Sequence, residues 1–274
     1  MINLMFCGNK KVFDGMLIAL LSITKHTDEA LNVYVLTMDL SDENKQYVPI
    51  DEKHRKILEE KIQEKNKESK VILIDATQYY KDDFKHSLNK KTHYTPYIFL
   101  RLLSDVIEGL PDKILYLDCD IVCYKDIKEL YDIDISDFEI AWCIDYLGRT
   151  WISYDYCNSG VLLINLKKVK ESGCFIDARK MVRVREMMLP DQTALNKCCT
   201  KQLILPDKFN EQNKRTDETV IRHFSMTLKK FPYPKVQNVK PWQIDDMHKK
   251  YKIHDYDDII KEYEETKKIM NEEE

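Results

Sequence analysis

The strongest constraint on the fold is the stretch KILYLDCDIVCY, Lys113–Tyr124. Ile114, Leu115, Tyr116 and Leu117 run without a break into Asp118 and Asp120. An apolar run of this kind predicts a strand buried on both faces, as in a parallel sheet. Alternate side chains on extended backbone share a face, so Asp118 and Asp120 are expected to point together. Ligands of open α/β sheets bind outside the carboxyl ends of the strands. Two carboxylates aimed into such a crevice repel each other unless a cation or a shared proton lies between them. The pair is therefore a candidate site. Two further Asp-x-Asp pairs, Asp132/Asp134 and Asp255/Asp257, lie in polar surroundings and read as surface turns.

The flanking pattern agrees with a parallel sheet. Ile2–Cys7, Ala30–Thr37 and Val71–Asp75 read as strands, separated by helices over Val12–Lys25 and Asp51–Lys70. Strand, helix, strand, helix, strand is a βαβαβ half-sheet. Tyr94–Ile107 reads as an apolar helix with Pro96 near its start and one interior-facing charge, Arg101. Phe138–Ile144, Val161–Leu166, Gln202–Leu205 and Thr219–Phe224 read as strands. Asp145–Gly160 reads as a loop. Asp177–Met188 and Asp191–Cys199 read as helices, the second capped by Asp191. The sequence ends in an acidic helical tail. No domain boundary is expected before about residue 226.

Composition narrows the function. At 43% hydrophobic and 33% charged the chain is an ordinary globular protein, and its net charge of −4 argues against phosphate-driven nucleic-acid binding. Met16–Ile23, the longest apolar stretch, covers roughly a third of a membrane span. No basic n-region opens the sequence, so no signal peptide is expected. The eight cysteines lack a CxxC pattern and read as reduced core residues of a cytosolic protein.

Two chemistries use paired carboxylates at a strand end. In one, they hold a divalent cation against the diphosphate of a nucleotide donor. In the other, Asp118 is the nucleophile and Asp120 the acid/base of a haloacid-dehalogenase-like phosphatase, whose DxDx(T/V) pattern DCDIV fits. That class places the strand near the start of the chain and needs a later acidic pair, for which Asp245–Asp246 is a loose candidate.

The order of several strings favours the first. FCGNKKVFDG, YTPYIFLRLL, LPDKILYLDCDIVCYKDIKELY, CIDYLG, CNSGVLLINL, LPDQTALN, HFS and KPW follow one another from Ile2 to Trp242. In this order the chain resembles family 8 of the glycosyltransferases, a retaining, metal-dependent group that includes lipopolysaccharide galactosyltransferases and glycogenin. The resemblance implies a GT-A fold: an α/β architecture with a Rossmann-like, mixed but mostly parallel central sheet flanked by helices. Residues 1–226 would form the catalytic domain. Residues 227–274 would be a small, helical C-terminal extension packed on it.

The resemblance also implies roles. Asp118, Asp120 and His223 would be the metal ligands, and the imidazole tilts the choice toward Mn²⁺, with Mg²⁺ as the other candidate. On its own strand, His223 would read as a packed core histidine. Phe6, Gly8 and Asn9 would cradle uracil and ribose, although many members carry an acidic residue where this chain has Cys7-Gly8-Asn9. Arg101 would reach the donor from its helix. Cys119, Asp145, Asn158 and Ser159 would line the donor site, Ser159 and Gly160 through close backbone. Serine stands at 159 where alanine is common. Asp191 would bind a sugar hydroxyl, and Gln192 would lie near the anomeric carbon. Lys240 would contact the diphosphate, but the interval from His223 exceeds the usual HxxGxxKPW and lacks its glycine.

The implied reaction moves a hexose, glucose or galactose first, from a UDP-sugar to an acceptor hydroxyl. A neutral Gln192 is a poor nucleophile and Asp191 the nearest carboxylate, so front-face attack is favoured over double displacement. The expected partners are a UDP-sugar and a glycan or glycolipid acceptor, with no nucleic acid. The expected location is cytoplasmic, or at the inner face of the membrane. The tail EYEETKKIMNEEE is net negative, so at most peripheral membrane association is expected. A haloacid-dehalogenase-like phosphatase using Asp118 and Asp120 and a non-catalytic UDP-sugar-binding protein are the alternatives.

Overall fold

The computed structural model describes residues 1–91, 94–229 and 235–272. Its first half follows the sequence pattern closely. Strands β1 (Ile2–Cys7), β2 (Leu31–Thr37) and β3 (Lys70–Asp75) are joined by the helices Phe13–Thr24 and Glu52–Lys65. They pair in parallel, and β4 (Lys113–Leu117) pairs in parallel with β1 from the other side. The short β5 (Ile121–Cys123) stands apart from this sheet, which is completed by β6 (Ile140–Cys143), β7 (Val161–Asn165) and β8 (Gln202–Leu205). The strand order is β3-β2-β1-β4-β7-β6-β8. β7 runs antiparallel to both β4 and β6, while β6 and β8 are parallel. The amino end of β7 therefore lies beside the carboxyl ends of β4 and β6, which brings Gly160, Asp118 and Asp145 to one rim.

Strand alternation divides the core between the two faces of the sheet. Leu4, Phe6, Leu115 and Leu117 pack with the Phe13–Thr24 helix. Met5, Tyr116, Leu162 and Ile164 pack with Phe99, Phe175 and Val182. The C-terminal helix Asp257–Glu272 adds Ile259, Ile260 and Tyr263 to the first of these layers. All eight cysteines are free, and seven are buried.

Several elements differ from the sequence reading. Lys113–Tyr124 is two strands, because the chain turns at Cys119-Asp120 between β4 and β5. The turn, rather than strand alternation, aims the two carboxylates. β5 pairs antiparallel with β9 (Ile221–His223), setting Ile121 opposite His223. The helix expected over residues 94–107 is a 3₁₀ helix over Pro96–Leu103. At three residues per turn, Ile98, Arg101 and Ser104 stack on one line. The N-cap of the Pro190–Cys198 helix is Leu189, so Asp191 sits in its first turn and does not cap it. The expected loop 145–160 contains a helical turn, Gly148–Trp151. Helices at Thr77–Phe84 and Leu166–Ser172 carry too few apolar repeats to be read from periodicity.

Candidate active site

β4 ends at Leu117, and the next residue keeps its strand geometry by donating from its backbone N–H to Gly160 O, 2.7 Å away. The Asp118 side chain is held on one oxygen only. Its Oδ1 accepts from Arg101 Nη2 at 2.9 Å and from the Tyr116 hydroxyl at 2.5 Å, leaving Oδ2 free to face His223. Across the turn, Asp120 faces Lys240 Nζ with Oδ2 at 2.5 Å and His223 Nε2 with Oδ1 at 3.2 Å. His223 Nε2 is 3.6 Å from Asp118 Oδ2. Two carboxylate oxygens and one imidazole nitrogen thus converge from β4, the turn and β9. Oxygen-rich donors with one nitrogen suit a hard or borderline divalent cation. Cys119, lying between the aspartates, is unsuited to join them: burial and both carboxylates push its thiol far above the usual range.

Charge decides how the site holds together. Burial by itself would push the Asp120 carboxyl up, but Lys240 and His223 hold it well below the usual carboxylate range. Arg101 is 4% exposed and serves as the internal counterion. It donates from Nη1 to Ser159 O at 2.5 Å, lies 3.4 Å through Nε from Asp191 Oδ2, and stacks 4.3 Å above the Tyr116 ring. Burial opposes the guanidinium charge, yet Asp118 and Asp191 keep it fully protonated. Asp191 stays high in pKa because burial and Asp118 outweigh Arg101.

The remaining residues form a second, continuous layer. Asp145 accepts four hydrogen bonds. Its Oδ1 takes the backbone N–H groups of Leu147 and Gly148, and its Oδ2 takes Asn158 Nδ2 and Gln192 Nε2. Gln192 Oε1 accepts from Ser159 N at 3.0 Å. Of the residues expected at the nucleotide end, Phe6 is wholly buried in the core and can offer a ligand only backbone. Gly8 sits against Cys119, whose thiol faces Cys7 O at 3.7 Å. Asn9 is engaged locally, capping Lys10–Val12 and donating to Gln46 O.

The sequence profile of glycosyl transferase family 8 matches residues 3–246. The chain belongs to this family. A lipopolysaccharide glucosyltransferase of Escherichia coli K12 is 26% identical over 215 residues, covering 64% of this chain and 62% of that protein. A lipopolysaccharide 1,3-galactosyltransferase of Salmonella typhimurium is 27% identical over 160 residues, 52% of this chain and 46% of its own length. The chain thus spans less than two thirds of either relative. A crystal structure of a galactosyltransferase bound to donor and acceptor sugar analogues superposes with a TM-score of 0.67 at 18% identity, over 96% of both chains. The fold is GT-A, and family membership displaces the phosphatase alternative.

In this glycosyltransferase the long interval between His223 and Lys240 has a structural explanation. It contains an antiparallel ribbon of β10 (Thr227–Lys229) and β11 (Lys235–Gln237), which returns the chain to the site. Lys240 Nζ also donates to Phe224 O, while the Tyr256 hydroxyl donates to Pro241 O and fixes the segment from behind. Trp242 packs over Gly15, where a Cβ would lie 2.5 Å from its ring. The missing glycine is therefore no obstacle to Lys240 reaching Asp120.

Two neighbours escaped the sequence reading. Tyr116 looks like any strand residue, and Asn210, whose Oδ1 faces His223 Nδ1 as an acceptor at 3.1 Å, lies in a segment with no motif. Gly160 carries a sharper constraint. A Cβ there would lie 2.1 Å from His223 Cε1 and 2.9 Å from Asp118 Oδ2. Gly160→Ala is expected to displace the imidazole at a cost of about 1–3 kcal/mol. Thermal melts check this, and an unchanged melting temperature would refute it.

Proposed function

We propose that this enzyme transfers a hexose, glucose or galactose, from a UDP-sugar to a hydroxyl of a glycan or glycolipid, with retention at the anomeric carbon. Asp118, Asp120 and His223 would hold a divalent cation, Mn²⁺ in preference to Mg²⁺ because one donor is imidazole nitrogen. The convergence of these three groups on one point carries the reading. The lipopolysaccharide glucosyl- and galactosyltransferase relatives favour a bacterial surface glycolipid as acceptor. Among the described residues no helix is long and apolar enough to cross a membrane.

When bound, the cation would neutralise charge on the diphosphate as it leaves. Lys240, already beside Asp120, would supply a second positive charge at the same place. Arg101 would keep Asp118 and Asp191 fixed while the sugar is held against them. For the chemistry we favour front-face substitution. The acceptor oxygen bonds the anomeric carbon as the bond to phosphate breaks, and the acceptor proton passes to the departing phosphate oxygen. Support comes from the commitments of the two candidate nucleophiles. Gln192 uses both ends of its amide within the protein. Asp191 is buried against Arg101 and Ser159. A glycosyl adduct trapped on Asp191 would overturn the front-face route.

UDP with Mn²⁺ should raise the melting temperature, by about 2.7 kcal/mol of stabilisation at a hundredfold excess over Kd. UDP alone should do much less. UDP release from UDP-glucose and UDP-galactose then separates an enzyme from a sugar-nucleotide-binding protein. No shift with millimolar UDP and Mn²⁺ would defeat the proposal.

A further inference from the structure

A hydrogen-bond chain runs behind the candidate metal site, and its direction is fixed from one end. Asp145 is acceptor-only as a carboxylate, with two backbone N–H groups already on Oδ1. Asn158 must therefore turn its Nδ2 toward Asp145 Oδ2, at 2.8 Å. The backbone N–H of Gly160, which can only donate, fixes the same orientation independently by reaching Asn158 Oδ1 at 2.9 Å. Asn158 Oδ1 must then receive the Nδ2 of Asn210, at 2.9 Å. That leaves Asn210 Oδ1 facing His223 Nδ1 at 3.1 Å, so Nδ1 has to carry the ring proton. In a neutral ring, Nε2 is then bare, and it points at Asp120 Oδ1 and Asp118 Oδ2.

We propose that Asn210 is a positioning residue: it fixes the Nδ1–H tautomer of His223 and so prepares Nε2 as a metal ligand, with the polarity of the chain set at Asp145. The inference rests on the metal role proposed for His223. Asn210 is 1% exposed and touches no reacting atom, so it acts only through the imidazole. Its backbone is tied separately: its N–H donates to Asp207 O, and its carbonyl accepts from Gln212 Nε2 at 3.3 Å. The side chain is thus aimed from two directions. A ring with the proton on Nε2 instead would present a donor where a cation needs a lone pair. Because Gln192 Nε2 shares Asp145 Oδ2 with Asn158, the anchor that orients His223 also orients the amide at the sugar end of the site.

The test has two parts. The first is ¹⁵N NMR of the metal-free wild-type protein at about pH 9, where histidine is ordinarily neutral. His223, assigned by comparison with His223→Gln, should show a protonated Nδ1 and a bare Nε2. An Nε2–H tautomer overturns the proposal. The second is Mn²⁺ affinity, measured by titration followed by electron paramagnetic resonance. Asn210→Leu should weaken binding about 10- to 100-fold. Asn210→Asp keeps an oxygen acceptor for Nδ1–H and should retain most of the affinity. Equal affinity in wild type and Asn210→Leu overturns the proposal while leaving the metal reading intact. Failure of the wild type to bind Mn²⁺ removes the metal reading, and the ligand-preparing role of Asn210 falls with it.

Discussion

Asp120→Asn should lower turnover by about 10³-fold or more at saturating Mn²⁺ while the protein stays folded. The substitution keeps the shape of the side chain and removes one buried negative charge. In the wild type that charge is what Lys240 and His223 both face. Without it the three-donor set proposed for the cation loses an anionic member, and Lys240 keeps only Phe224 O as a partner at the site. Removing a single electrostatic contact from a preorganised site typically costs about 10²–10³ in rate, and a bound cation contributes several kcal/mol more. UDP release from the UDP-sugar gives the rate. The Mn²⁺-dependent part of the UDP thermal shift reports the loss of the cation separately. A variant within tenfold of wild type would mean that Asp120 is not a ligand.

Arg101→Met should produce the largest loss of stability, about 3–5 kcal/mol, because it strips the counterion from two carboxylates at once. Arg101 is buried and meets Asp118 and Asp191 on separate nitrogens. Methionine fills part of the volume but leaves Asp191 charged in a pocket that already raises its pKa by burial. For a chain of this size the melting temperature should fall by roughly 6–20 °C. The deficit should depend on pH. With Arg101 gone, the Asp191 carboxyl rises further above its unfolded value, so the folded state binds its proton more readily than the unfolded state. Stability of the variant therefore improves as pH falls, and the gap to wild type should narrow as pH is lowered from neutral into the acid range. A gap that is constant across that range would show that the missing guanidinium acts by packing alone.

Most of the sheet was legible because its signals are local. β1 and β8 have the bounds that apolar runs and turn residues indicate, and the first two helices differ only at their ends. Asp118 and Asp120 could be singled out from two decoys because only they end a strongly apolar strand. The 3₁₀ form of Pro96–Leu103 was not legible, since an apolar stretch with a leading proline fits either helix. Its tighter turn is what places Arg101 in line with Ile98 and Ser104. Motif order carries no side-chain direction at Phe6 and Asn9. The resemblance assigns both to the donor site, and one side chain lies in the core while the other holds a neighbouring loop.

By itself the sequence determined which apolar runs become strands and which pair of carboxylates follows the central one. Both follow from apolar run length and turn residues along the chain. Only the tertiary structure decided what meets them. Lys240 reaches Asp120 across 120 residues through a ribbon that no periodicity announces. His223 arrives because β9 pairs with β5, and Asn210 reaches it from a segment without a motif. Such contacts depend on strand register and on the reversal of β7, which are set by packing over the whole sheet.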